Sequence, residues 1–229
     1  MTAISTVLTD IEGTTTSIEF VTETLFPYAR AHLAGFLVAQ RSSHAVQRIR
    51  AEVERLADRH ALSDDDLVGT LEAWMNADRK APPLKELQGL IWAEGYASGQ
   101  LVGHVYEDAA AALRDWHTAG LSLYVFSSGS ERAQRLLFAH SRAGDLGSLF
   151  SGHFDTRVGS KQSAASYRAI AERIGCAPAA ILFLSDVSSE LDAAAAAGMQ
   201  TTWVVRHSRE VVDARHARVR SLGEVQVRR

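Results

Sequence analysis

The chain has 229 residues, of which 46% are hydrophobic and 22% charged, a balance typical of a globular protein with one large domain or a core domain and an insert. Its formal net charge of −3 gives no reason to expect a nucleic-acid or membrane partner, because binding to anionic surfaces needs a basic field. The single cysteine excludes an internal disulfide, and the lack of a leader or long apolar run predicts a cytoplasmic protein.

The first predicted element is a short buried strand that ends at an acidic turn. The β-branched run from Ile4 to Ile11 contains Asp10 near its end, and Glu12 and Gly13 follow it. From Phe20 to Leu101, stretches with helical spacing follow one another without a strand candidate between them. They cover roughly residues 21–40, 44–60, 63–79 and 83–100. This pattern predicts an all-helical insert after the first strand.

Strands and helices alternate in the remainder of the chain. The predicted strands cover residues 121–126, 154–156, 181–184 and 201–205, and the predicted helices cover residues 108–119, 130–139, 163–174 and 189–197. Gly120, Gly175 and Gly198 stand where a left-handed helix C-cap is favoured. The alternation predicts an α/β protein, with a Rossmann-like parallel sheet formed by residues 1–19 and 102–229. The helical cap domain is then residues 20–101.

Four polar features fall at the carboxyl ends of predicted core strands or before the next helix, where ligands bind in open parallel sheets. Taken singly, each has a structural explanation as a turn residue, a helix N-cap or a surface charge. Together they supply a complementary set of chemical groups. They are Asp10 with Glu12, Ser127 with Ser128, Lys161, and Asp186 followed by Glu190.

This set matches the requirements of phosphoryl transfer. That reaction needs a nucleophile, positive charge and hydrogen-bond donors on the phosphate oxygens, and a group that handles protons. Asp10 can attack phosphorus, and Ser127 and Lys161 can hold the phosphate. Asp186 can bind Mg²⁺, a hard cation that prefers oxygen ligands, and Glu12 can transfer the proton. The residues alone therefore predict a magnesium-dependent phosphatase.

The motifs resemble those of the haloacid-dehalogenase superfamily of phosphatases, which carry an Asp-x-Asp pair, a Ser or Thr, a Lys and a late acidic pair. The second acid of the first motif is Glu12 here. That departure is similar to the enolase-phosphatase family of methionine salvage, also called acireductone synthase. The runs that carry the similarity are 9–16, 25–28, 124–130 with 136–138, 159–161 with 166–167, and 181–186.

The resemblance implies a monomeric enzyme with a helical cap and Mg²⁺. The implied substrate is 2,3-diketo-5-methylthiopentyl-1-phosphate, which the enzyme enolises and then dephosphorylates to the acireductone 1,2-dihydroxy-3-keto-5-methylthiopentene. The site residues carried over by motif are Asp10, Glu12 and Asp186 for the metal, Ser127, Ser128 and Lys161 for the substrate, and Asp10, Glu12 and Lys161 for catalysis.

Several alternatives stay open at the level of sequence. Glu12 is either a metal ligand or the proton shuttle of enolisation, and Glu190 has no assigned role. The competing enzyme is a broad-specificity sugar-phosphate phosphatase of the same superfamily. A phospho-ligand-binding module without turnover is disfavoured, because the negative charge of Asp10 would hinder the binding of a dianion.

Overall fold

The computed structural model describes residues 2–206 and 215–227. Its core is a six-stranded parallel sheet with strand order β3-β2-β1-β4-β5-β6. The strands are β1 (Thr6–Thr9), β2 (Ser122–Phe126), β3 (Phe150–Phe154), β4 (Ile181–Ser185), β5 (Gln200–Val204) and β6 (Ala217–Val219). The prediction of a Rossmann-like parallel sheet in an α/β protein is confirmed.

Strand β1 lies in the middle of the sheet, and every one of its residues is buried. It pairs in parallel with β2 and with β4, so that Thr9 is in register with Val125 on one side and Leu184 on the other. Because parallel strands point the same way, the residues that follow β1, β2 and β4 emerge at one edge of the sheet. This register brings three of the four sequence motifs to that edge.

The helices that follow or precede these strands complete the α/β layers. They are α5 (Glu107–Thr118), α6 (Glu131–Ala139), α7 (Ala164–Ile174) and α8 (Ser188–Ala196). The fully buried ring of Tyr167 on α7 lies edge-on to Phe126 and Phe183 of the sheet, with centroid separations of 5.5 and 5.0 Å. Burial of each such ring stabilises the fold by about 2 kcal/mol. The glycines at 120, 175 and 198 all have positive φ, as predicted for C-caps.

Two details of the sheet differ from the sequence-based expectation. The predicted strand at residues 154–156 is wrong, because the strand runs from Phe150 to Phe154. Gly152 interrupts the apolar pattern there, and a Cβ on it would lie 3.0 Å from the ring of Tyr124 on β2. Strand β6 was not predicted, since its three residues at the sheet edge are mostly exposed and form no hydrophobic run.

The chain divides into two compact units, one formed by Met1–Ile18 with Val102–Arg229 and the other by Glu19–Leu101. In the second unit a π-helical turn (Phe20–Leu25) leads into α1 (Phe26–Ala39), followed by α2 (His44–Ala57), α3 (Asp64–Asn76) and α4 (Pro82–Ala97). None of the helices in residues 2–206 and 215–227 is long and apolar enough to cross a membrane.

The helical unit has local start signals and a core of its own. The hydroxyls of Ser43 and Ser63 accept the third N–H of α2 and α3, which is the usual N-cap hydrogen bond. The indole of Trp92 on α4 donates to the carbonyl oxygen of Leu25 at 2.8 Å. The apolar interior consists largely of fully buried leucines and isoleucines from all four helices, among them Leu33, Leu37, Ile49, Leu67, Leu71, Leu87 and Ile91.

In the sheet unit, the segments on either side of the helical insert are hydrogen-bonded to each other. The hydroxyl of Thr16 donates to the carbonyl oxygen of His104 at 2.5 Å. The N–H of Ser17 donates to Nδ1 of the His104 ring at 3.1 Å. The N–H of Tyr106 donates to the carbonyl oxygen of Thr15 at 3.0 Å. The two ends are therefore adjacent within this unit, independently of the helices.

We expect the sheet unit to fold without the helical unit. Replacement of Glu19–Leu101 by a short Gly-Ser linker should give a monodisperse protein that unfolds cooperatively in urea, because the insertion points are already side by side and loop closure is inexpensive. Circular dichroism and tryptophan fluorescence would follow unfolding. A variant without cooperative unfolding would show that the helical segment is integral to the sheet unit.

Candidate active site

Asp10 lies immediately after β1 and is only 2% exposed. Its N–H donates to the carbonyl oxygen of Leu184 at 2.9 Å, which extends the pairing with β4 by one residue. Its own carbonyl oxygen accepts the hydroxyls of Thr9 at 2.9 Å and Thr15 at 3.3 Å. Hydrogen bonds on both sides thus fix the backbone of the predicted nucleophile.

Lys161 is a buried cation held between two carboxylates. Its Nζ lies 2.5 Å from Oδ1 of Asp10 and 2.8 Å from Oε2 of Glu190. Burial alone would lower the pKa of Lys161, but the charges of Asp10 and Glu190 outweigh burial and raise it. The hydroxyl of Tyr167 donates to the carbonyl oxygen of Lys161 at 2.7 Å and anchors its backbone. Lys161 therefore stays charged beside the nucleophile.

Glu190 is the partner of Lys161 that the sequence left without a role. It is 8% exposed, lies in the first turn of α8, and accepts the hydroxyl of Ser185 at 2.9 Å. Burial and the charge of Asp10 raise the pKa of Glu190, while Lys161 opposes that rise. The only signal in the sequence was its position in the late acidic pair, since the contact with Lys161 joins residues 29 positions apart in the chain.

Glu12 and Ser127 form a second pair. The hydroxyl of Ser127, fully buried at the end of β2, donates to Oε2 of Glu12 at 3.0 Å. It also accepts the N–H of Gly129 at 3.1 Å. Burial and the nearby charge of Asp10 raise the pKa of Glu12, which makes its carboxylate a stronger base. Ser128 follows in the same turn and is exposed.

Gln134 supports this turn and was not singled out from the sequence. Its Nε2 donates to the carbonyl oxygens of Gly129 at 2.8 Å and Phe154 at 2.9 Å, and the N–H of Ser127 donates to the same oxygen of Phe154 at 3.2 Å. Gln134 therefore joins the turn after β2 to the end of β3. Its one signal in the sequence is a polar residue on the otherwise apolar inner face of α6.

Asp186 follows β4 and approaches the turn after β1. Gly13 has φ of +74°, and a Cβ placed on it would lie 2.1 Å from Oδ2 of Asp186. Burial, followed by the charge of Asp10, raises the pKa of Asp186 to about 7. The indole of Trp203 donates to the carbonyl oxygen of Asp186 at 2.8 Å. The missing side chain at Gly13 thus makes room for the Asp186 carboxylate.

The donor groups suit Mg²⁺ although they do not form a complete cage. In the described part of the chain, no three His, Cys, Asp or Glu side chains form a ready metal-binding group. Mg²⁺ is usually bound by one or two carboxylates, with water and substrate phosphate completing its octahedral shell. Asp10 and Asp186 offer two carboxylates whose repulsion a cation would offset. The chemistry of the site therefore fits this metal.

Comparisons with known proteins agree with this architecture. Residues 4–198 match the family model of haloacid dehalogenase-like hydrolases. The enolase-phosphatase E1 of Methylococcus capsulatus is 53% identical over 203 residues, 89% of each chain. That of Granulibacter bethesdensis is 55% identical over 201 residues, 87% of this chain and 84% of the relative. The solved structure of the UTR4 protein from Saccharomyces cerevisiae aligns with a TM-score of 0.83 and 35% identity, covering 97% and 100% of the two chains.

The family match extends from β1 to α8 and therefore includes all the motifs described above. The fold and the family match are those of a haloacid dehalogenase-like hydrolase. With relatives more than 50% identical over nearly nine tenths of its length, the chain belongs to the enolase-phosphatase family within that class.

The space at Gly13 yields a prediction for activity. We expect Gly13→Ala to lower phosphate release by about a hundredfold, because the new methyl group must displace the Asp186 carboxylate and so misplace the site. The Mg²⁺ concentration that gives half-maximal activity should rise as well. Phosphate release across a magnesium titration measures both effects.

Gly175→Ala is the matched control. Gly175 has nearly the same φ, +72°, but nothing lies within 4 Å of its added Cβ. Both variants should lose stability by roughly 1–2 kcal/mol from the positive φ, whereas only Gly13→Ala should lose activity. Equal activities in the two variants would mean that Asp186 does not need the space above Gly13.

Proposed function

We propose that the chain enolises and dephosphorylates 2,3-diketo-5-methylthiopentyl-1-phosphate, with the acireductone and phosphate as products, in methionine salvage. The observation that carries this proposal is the presence of two separate pairs beside Asp10, one of Lys161 with Glu190 and one of Glu12 with Ser127. Two chemical steps need two sets of groups. The enolase-phosphatase name of the relatives supports the assignment.

Asp10 is the nucleophile of the phosphatase step. Lys161 binds its Oδ1, so we assign the attack on phosphorus to Oδ2. A bond forms between Oδ2 and phosphorus as the ester P–O bond breaks, and water then hydrolyses the aspartyl-phosphate. Lys161 places positive charge next to the phosphate oxygens as negative charge moves to the leaving oxygen. Mg²⁺, held by Asp10 and Asp186, would neutralise further negative charge on the phosphate.

Glu12 is the proposed base of enolisation. The step removes a proton from the carbon beside a carbonyl group, and the C–H electron pair becomes the enol double bond as charge grows on the carbonyl oxygen. Burial and the charge of Asp10 raise the pKa of Glu12, which makes its carboxylate a stronger base for proton abstraction. The hydroxyl of Ser127 orients the Glu12 carboxylate through the 3.0 Å hydrogen bond. Of the two roles left open by the sequence, this arrangement favours the proton shuttle.

We also propose that the helical unit, Glu19–Leu101, is the cap that recognises the methylthio end of the substrate. Apolar side chains on its helices would supply a hydrophobic wall, and its connections leave the sheet unit a few residues after Glu12. The linker variant without this unit should keep some hydrolysis of a small aryl phosphate but lose the preference for the diketone ester. Loss of both activities by the same factor would contradict a role in recognition.

The decisive experiment is a comparison of substrates with the purified protein and Mg²⁺. Enol absorbance and phosphate release should both follow addition of the diketone phosphate ester, with a kcat/KM at least about a hundredfold above that for glucose 6-phosphate, equivalent to roughly 3 kcal/mol of discrimination. Equal or higher kcat/KM for sugar phosphates would instead identify a broad-specificity phosphatase.

Asp10→Asn is the control for the nucleophile in the same assay. It keeps the volume of the side chain and removes the attacking carboxylate, so the enol should form while phosphate stays esterified. Retention of more than about a hundredth of wild-type phosphate release would remove Asp10 as the nucleophile, since loss of a covalent nucleophile normally costs more than that.

Glu12→Gln separates the two chemical steps in the opposite direction. The amide keeps the size and a hydrogen-bond acceptor for Ser127 but cannot take up a proton, so enol formation should fall by at least about a hundredfold. Hydrolysis of an aryl phosphate, which needs no enolisation, should fall much less. A parallel loss of both activities would assign Glu12 to the phosphate or metal site.

A further inference from the structure

Arg206, whose side chain is largely buried, lies outside the groups discussed above. It lies two residues after β5, and its side chain is only 8% exposed. A guanidinium group remains charged at all ordinary pH values, so burial at this level requires several compensating contacts. One of these contacts is with the turn that carries Glu12 and Gly13 in the active site.

The guanidinium of Arg206 is engaged on three sides. Its Nε donates to the carbonyl oxygen of Thr14 at 2.9 Å. Nη1 and Nη2 donate to the two carboxylate oxygens of Asp108, each at 3.0 Å, in a bidentate ion pair. The group also lies over the ring of Tyr106, with its Cζ 3.8 Å from the ring centroid. Such a fork of donors has a fixed geometry that a lysine does not reproduce.

Asp108 anchors this arrangement in the first turn of α5. Besides the two bonds from Arg206, it accepts the N–H of Leu222 at 2.7 Å. Burial by itself would raise the pKa of Asp108, but the hydrogen bonds from Arg206 and Leu222 hold it below its usual value. The carboxylate is thus ionised and fixed, and it holds the guanidinium in one orientation.

Thr14 belongs to the turn that carries Glu12 and Gly13. The N–H groups of Thr14, Thr15 and Thr16 all donate to the carbonyl oxygen of Ile11, at 3.1, 2.9 and 2.9 Å, and Gly13 donates to Thr16 at 2.8 Å. These bonds make the turn one stiff unit. A displacement at Thr14 is therefore transmitted to the Glu12 carboxylate and to the space beneath Asp186.

We propose that Arg206 is a positioning residue for the reaction, which holds the turn after β1 through the carbonyl oxygen of Thr14 and so sets the place of Glu12 and Gly13. This inference rests on the proposed roles of Asp10 and Glu12. Arg206 itself takes no part in proton or phosphoryl transfer. Its contribution is geometric. The fixed guanidinium links the turn after β1 to α5, so the position of that turn does not depend on the conformation of the loop alone.

The test compares Arg206→Met with Asp108→Asn. Both variants weaken the same ion pair, but only Arg206→Met removes the donor to Thr14. We expect Arg206→Met to lower kcat for enol formation by about tenfold or more, as misplacement of catalytic groups does, with a smaller loss for aryl phosphate hydrolysis. KM should change by less than about twofold. Asp108→Asn should lower the urea unfolding midpoint to a similar extent but lower kcat much less, because its amide oxygen still accepts one bond from the guanidinium and the donor to Thr14 is kept.

Equal kcat values in the two variants at similar losses of stability would reduce Arg206 to a structural role and overturn the proposal.

If Arg206→Met does not fold, Arg206→Lys tests the proposal instead. One ammonium cannot serve Thr14 and both oxygens of Asp108 together, so an intermediate kcat is expected, and wild-type kcat with a lowered unfolding midpoint overturns the inference. Asp10→Asn is measured alongside: phosphate release by that variant refutes the proposed function, whereas loss of its phosphate release with a normal kcat for enol formation in Arg206→Met refutes this inference alone.

Discussion

A buried ammonium among carboxylates is the constraint on which the site depends. Lys161 contacts Asp10 and Glu190 directly. Burial first, and then the charges of Asp10 and Glu190, raise the pKa of Asp186. Removal of one partner from a buried ion pair leaves an uncompensated charge, which costs several kcal/mol. The remaining excess of negative charge favours the binding of a cation. A metal cation is thus complementary to the charge that the protein leaves unbalanced, and it would offset the repulsion between these carboxylates and a substrate phosphate.

The parallel sheet is what makes this concentration of charge feasible. Strand β1 lies between β2 and β4, and the ends of these strands place Asp10, Ser127 and Asp186 side by side. Local hydrogen bonds pair many of the polar groups there, as in the chain of bonds from the N–H of Val187 to the Ser185 hydroxyl and from that hydroxyl to Glu190. Apolar burial beneath, around Tyr167, stabilises the strands that carry these groups.

The site also shows how one fold could support two reactions in sequence. Lys161 and Glu190 surround the carboxylate of Asp10, where attack on phosphorus is proposed. Glu12 and Ser127 form a pair that is coupled to Asp10 by charge but makes separate hydrogen bonds. Placing glutamate rather than aspartate at position 12 adds one methylene of reach. In this view the enolase activity needs a change in only one motif, and the phosphatase machinery is retained.

The sequence by itself determined the alternation of strands and helices, the helical insert, and the residue types at the strand ends, because periodicity and turn residues are local properties. It did not locate β3, where Gly152 packs under Tyr124, or the exposed edge strand β6. Only the tertiary structure decided that Glu190 pairs with Lys161, that Ser127 donates to Glu12, and that Arg206 holds Thr14. These contacts join residues 29, 115 and 192 positions apart, and the pairing of strands that are distant in the chain brings the segments that carry them together.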